Sequence, residues 1–207
     1  YGLLNARDYG VPEDRERVII VGYRTDTNKI FTPPAKNAKR LNLRDAISDL
    51  KDSVVPALEN NYTNEEQLIP NHEYMVGGFS SMYMSRNRVR SWDEGSFTIQ
   101  AGGRHAPIHP QAPKMVKIDK DKWVFDPSCL ELYRRLSVRE CARIQTFPDS
   151  HRFIYKRVSD GYKMIGNAVP VEFAKKLAEQ IYSDLSGIDL SSGNATTPGK
   201  IQTFNEA

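Results

Sequence analysis

Cysteine is nearly absent: Cys129 and Cys141 are the only two in 207 residues. A pair with no paired or metal-ligand spacing excludes a disulfide-stapled scaffold and gives no zinc motif. The four histidines, His72, His105, His109 and His151, show no ligand spacing, so no metal site is expected. No apolar run reaches the roughly 18 residues that a membrane-spanning helix needs. No secretory signal is visible, and a reducing cytoplasm is the expected compartment. No charge sign dominates: the net charge is +3 and the pI near 8.8. That balance is too common to argue for a nucleic-acid partner by itself. There is no internal repeat.

A hydrophobic content of 39% supports a modest core. Ser137 followed by Glu140 makes a capping box for a short amphipathic helix, with Val138, Cys141, Ala142 and Ile144 or Gln145 inward and Pro148 as the stop. Gly166-Asn167 is expected to be a tight loop, and a second helix is expected over residues 169–182. Val18 to Val21 is a continuous apolar run, the pattern of a strand buried on both faces. Asn42 caps a helix through Leu50, with Leu43, Ile47 and Leu50 on one face. Residues 73–124 alternate in places and are expected to form short strands and loops, including 96–100 and Val116 to Asp119.

Four blocks then resemble one family. LSVRECARIQTFPD (136–149) and GYKMIGNAVP (161–170) look like the ninth and tenth motifs of the DNA (cytosine-5) methyltransferases. LNARDYGVPEDRERVIIVGYR (4–24) resembles their eighth, and MSRNRVRSWDEGSFTIQAGGRHAPIHPQAPKM (84–115) is similar to the HaeIII-type, GGCC-modifying members. The order is the family's. The family's glycine-rich donor loop, its Pro-Cys nucleophile and its Glu-Asn-Val run have no counterpart in this sequence.

The resemblance implies an α/β fold: the C-terminal segment of a Rossmann-like methyltransferase sheet domain with an inserted small, mostly β target-recognition domain. The expected division is 1–34 for C-terminal strands of the catalytic domain and 35–132 for target recognition. Residues 133–187 would be a hinge helix and a closing helix, and 188–207 a flexible tail. The implied cofactor is S-adenosylmethionine, with most of its site outside this chain. The implied partners are double-stranded DNA and the N-terminal catalytic part of the same enzyme, in cis or as a separate chain. The implied setting is the bacterial cytoplasm, at the nucleoid. Alone, the chain is expected to be inactive. A non-catalytic, sequence-specific DNA-binding subunit is the alternative.

The site residues follow. If Arg15, Arg17 and Ile19 share a strand face, two guanidinium groups enter one cleft. By resemblance Arg17 contacts the flipped cytosine and Arg15 is its electrostatic neighbour near the phosphates. The family usually has Gln where Glu13 stands. Arg86, Arg88 and Arg90 alternate along one expected strand edge, and Arg104 follows Gly102-Gly103, expected to let the backbone approach a partner. Arginine's fork suits guanine O6 and N7, and equally suits phosphates. By resemblance Arg86, Arg88 and Arg104 read bases, and Arg90 is a phosphate or structural contact. Asn167 and Ala168 are implied cofactor contacts. Arg139 and Arg143 share a helix face, where ion pairing is favoured over phosphate contact. Cys141, Cys129, Trp92 and Trp123 are expected to pack.

Overall fold

The capping box at Ser137 starts the helix on which the largest core is built. In the computed structural model, which describes residues 2–187, Ser137 Oγ accepts from the Glu140 amide at 3.0 Å and Glu140 Oε2 accepts from the Ser137 amide at 2.8 Å. Helix α2 therefore runs Val138–Ile144. Its buried face packs against α1, Leu43–Ile47, and α3, Val158–Asn167. Asn42 caps α1 and exchanges bonds with Asp45. Helix α1 is shorter than its apolar spacing suggests, yet Leu43, Ile47 and Leu50 are all buried as expected.

Helix α3 corrects the expected loop at Gly166-Asn167: both residues lie in its last turn. Gly161 and Gly166 lower helix propensity, so the segment reads as a loop. Packing overrides that preference. A Cβ on Gly166 would collide with the backbone of Gln100 and Ala101, so the glycine lets a helix lie directly on another chain segment.

Helix α4, Val171–Ser186, starts after Pro170 and closes at Gly187 in the left-handed region. Its N-terminus has no side-chain cap of its own. The Val171 amide donates to Gln145 O at 3.1 Å and the Glu172 amide to Thr146 Oγ1 at 2.9 Å. Thr146 holds φ +61 to present that hydroxyl. A left-handed threonine costs on the order of 1–2 kcal/mol, which the borrowed cap of similar size offsets.

The apolar run at Val18 to Val21 is not a strand buried on both faces. Strand β1, Gly2–Asn5, pairs antiparallel with β2, Glu16–Ile19, and Leu3, Val18 and Ile20 are exposed at 65, 60 and 81%. Nothing among the described residues covers that face. Its inner side meets α4: Leu4, Ala6, Tyr9, Val11 and Phe173 form a separate core.

Residues 35–132 are mostly irregular, not mostly β. They hold a parallel pair, β3 (Val55–Pro56) with β4 (Glu73–Tyr74), and a hairpin, β5 (Val116–Asp119) with β6 (Lys122–Val124). The strands expected near 86–90 and 96–100 shrink to single bridges, Val89 to Ile108 and Ser96 to Glu13. Each sheet among the described residues has two strands. The expected boundary at 132/133 does not separate cores either, since Ile99 and Ala106 pack with Leu136, Val138 and Ile165. The tail, 188–207, lies outside the described residues. No described helix is long and apolar enough to cross a membrane.

Candidate nucleic-acid interface

Two clefts adjoin on one side of the molecule. One, of about 410 Å³, is lined by Arg86, Arg88, Arg90, Phe97, Gln100 and His105, among others. The other, of about 450 Å³, is lined by Asn5, Glu16 and Arg17. Asp14, Arg90 and Thr98 line both and form the wall between them.

The wall is built by ion pairs. Asp14 takes Arg7 at 3.1 Å on one oxygen and Arg90 at 3.3 Å on the other. Arg90 also reaches Glu94 at 3.1 Å and lies 4.2 Å above the Phe97 ring. Hydrogen bonds from Ser91, together with Arg90, hold the Glu94 carboxyl down to about 2. Arg90 is thus held in the wall by two carboxylates and a ring. Asp14 and Glu94 were not singled out from sequence; the i,i+4 spacing of Arg90 and Glu94 was the available signal.

The other arginines differ in freedom. Arg86 is exposed, lines the cleft, and makes no hydrogen bond or ion pair among the described residues. Arg88 is held: its Nε donates to Tyr83 O at 2.6 Å, Nη2 donates to Met82 O at 3.0 Å, and the group sits 4.6 Å over the Tyr83 ring. Arg104 is exposed in a 3-10 turn, Gly103–His105, next to His105 of the cleft wall. The absent side chain of Gly103 makes room for Met75 Sδ and the Tyr162 ring, both from this chain, and not for an outside partner. Of the two glycines, Gly102 is the one with open space around it.

Arg15 and Arg17 do not share a cleft. Arg17 is exposed in β2, donates to Glu16 O at 2.7 Å, and lines the second cleft. Arg15 precedes the strand and is buried at 5%. Its Nη1 donates to Ile99 O at 3.1 Å, and its Nη2 to Gly166 O at 2.9 Å and Ala168 O at 3.3 Å. Inward-facing carbonyls, not phosphates, are its neighbours. Glu13 lies beside it at 3.6 Å, fully buried, accepting from the Ile99 amide. Burial pushes the Glu13 carboxyl up to about 7, against the pull of the Ile99 N–H and Arg15.

Asn167 is exposed, and its side-chain amide has no partner among the described residues. Met164 and Val169 beside it are exposed at 44 and 56%. An open amide flanked by apolar side chains fits one edge of a site for a molecule with polar and apolar parts. Ala168 contributes its carbonyl inward, to Arg15.

The remaining candidates are structural. Arg134 holds Glu140 by two 2.7 Å bonds, and Arg135 donates to the carbonyls of Met75, Gly77 and Gly78. Arg139 is wholly buried and donates to Pro70 O, His151 O and Asn71 Oδ1, with Asp149 only 4.0 Å away, so carbonyls outweigh the expected ion pair. Arg143 does pair, with Asp49 at 2.6 Å and Asp149 at 2.7 Å. Cys141 is buried, and burial raises its thiol well above the usual range. Trp92 meets the His109 ring edge-on at 5.1 Å, and Trp123 packs in a cluster with Tyr83 and Tyr133. No described group of His, Cys, Asp and Glu could hold a metal ion.

The chain belongs to the C-5 cytosine-specific DNA methylases, whose pattern matches residues 1–183. Among its relatives, Type II methyltransferase M.MthTI of Methanothermobacter thermautotrophicus is 64% identical over 189 residues, covering 91% of this chain and 57% of that protein. Type II methyltransferase M.FnuDI of Fusobacterium nucleatum is 51% identical, covering 89% and 55%. The chain thus spans little more than half of these relatives' length. A solved structure described as a DNA modification methyltransferase encoded within a prophage (E. coli) superposes with a TM-score of 0.59 at 17% identity, covering 88% of this chain and 59% of that one, which shows a shared fold.

Proposed function

We propose that this chain is the DNA-gripping, C-terminal part of a DNA (cytosine-5) methyltransferase of a restriction-modification system, acting on GGCC. The observation that carries the reading is the pair of adjoining clefts, with Arg17 in one and Arg86 in the other, within a chain of this family. A cytosine drawn out of the stack, at a cost of a few kcal/mol, would enter the Arg17 cleft while the duplex lies along Arg86, Arg88 and Arg104. Arg17 then donates to the cytosine O2 and draws electron density from the ring. That makes C6 open to a thiolate, which this sequence does not supply. S-adenosylmethionine supplies the methyl group when bound, and Asn167 and Ala168 form one edge of its site. The rest of the machinery belongs to an N-terminal part, in cis or as a second chain. Arg86 and Arg104, whose forks are free, suit guanine, and each bidentate pair discriminates by about 1–3 kcal/mol.

The test compares duplexes. In the complete protein, Arg104→Ala should weaken binding to a GGCC duplex more than to a scrambled one, and Arg17→Ala should abolish methyl transfer from labelled donor. Equal losses on both duplexes would remove the base-reading role. Transfer by this chain with no companion would overturn the incomplete-site reading.

A further inference from the structure

We propose that Arg15 is a positioning residue that joins the donor-side corner, residues 166–168, to the DNA-reading loop, residues 97–105, and couples occupancy of the two. The inference rests on the site reading just given and concerns how those sites communicate.

One buried guanidinium holds carbonyls from segments 67 residues apart: Ile99 O on Nη1, Gly166 O and Ala168 O on Nη2. The last carbonyls of a helix lack partners within it and carry its negative end, so Arg15 suits the end of α3 both as donor and as charge. Ile99 is fixed from both sides, its N–H by Glu13 and its carbonyl by Arg15. The next residue, Gln100, lines the arginine cleft, and its backbone lies directly on Gly166. Thr98 is tied to the same strip, donating to Asp14 O at 2.6 Å. The reading loop is thus held on one side by Glu13 and Asp14 and on the other lies on the last turn of α3, which ends at Asn167.

The planar fork matters, because a lysine ammonium is a single nitrogen centre and cannot span the separate Nη1 and Nη2 positions that hold the two segments. Coupling between two binding sites is reciprocal, so it can be read from either ligand.

The experiment uses the complete protein, with S-adenosylhomocysteine as the unreactive donor probe and a GGCC duplex. In the native protein the probe should tighten duplex binding by about fivefold or more, and the duplex should tighten probe binding equally. Arg15→Lys should reduce both factors to within about twofold, while the salt slope of duplex binding stays unchanged. A phosphate contact would instead lower that slope by about one. Coupling that survives in Arg15→Lys, or is absent from the native protein, or a lowered slope, overturns the proposal. Asn167→Ala for the probe and Arg104→Ala for the duplex are controls. If neither weakens its own ligand, the underlying site reading has failed and takes the inference with it. Should Arg15→Lys not fold, hydrogen exchange of the native protein decides: probe binding must slow the amides of residues 97–105, and unchanged exchange there overturns the link.

Discussion

Glu13 accepts the amide hydrogen of Ile99 through Oε1, while its Oε2 is buried with no hydrogen-bond partner. A carboxylate left half-satisfied inside a protein prefers to keep a proton, and this one holds it up to about 7. The unfolded chain releases that proton near the ordinary glutamate value, 4.5. The native state thus binds more protons between about 4.5 and 7, and stability falls as pH rises across that window, by at most about 1.4 kcal/mol per pH unit. Glu13→Gln keeps the acceptor for Ile99 and removes the titration. Urea unfolding at pH 5 and pH 8 should show the variant gaining on the native protein toward pH 8. A constant difference would contradict the assignment.

Acid should act with the opposite sign through His109. Burial holds its imidazole down to about 4, although Glu140 lies 3.4 Å away, and its Nδ1 accepts from the Gln111 amide. The unfolded chain takes up the proton near 6.5. Stability contributed by the neutral ring is complete above 6.5 and is lost as pH falls toward 4. His72 is shifted in the same direction, again by burial. His109→Gln should flatten the melting temperature between pH 6.5 and 4.5 relative to the native protein.

Gly166→Ala should destabilise although alanine is the better helix former by roughly 1 kcal/mol. The added methyl collides with the backbone of Gln100 and Ala101, so a chain segment must shift, and overpacking of this kind costs about 1–3 kcal/mol. Gly102→Ala, with nothing within 4 Å of its Cβ, is the control and should melt like the native protein.

Arg86 and Arg90 should separate recognition from architecture. Arg86→Ala removes a side chain without partners, so melting should stay within about 0.5 kcal/mol of native while GGCC binding by the complete protein weakens by about 1–3 kcal/mol. Arg90→Ala leaves Asp14 and Glu94 each short of a charge partner in the wall between the clefts. It should lower stability by about 1 kcal/mol as well as binding.

What the sequence revealed was local. Ser137 with Glu140, and Asn42 before Leu43, are bonds between residues three apart, so spacing suffices to find them. The corner at 166–168 and the arginines also stood out. What stayed hidden was long-range. Arg15 looks like a strand residue until residues 99 and 166 are brought to it. Asp14 meets Arg90 across 76 positions, which no local pattern encodes. Residues 35–132 were misjudged as mostly β because their order comes from side chains gripping carbonyls, as Arg135 does at Met75, Gly77 and Gly78, and not from ladders.

The borrowed cap of α4 has a consequence for the nascent chain. Tyr9, Val11 and the hydroxyl of Thr146, on which that helix rests, all precede Val171 in the chain and are made before it. Until Phe173 arrives to cover Tyr9, 5.3 Å from its ring, the N-terminal hairpin has both sides bare. A product truncated before Val171 would therefore carry this hairpin as its stickiest part, an attractive target for a chaperone.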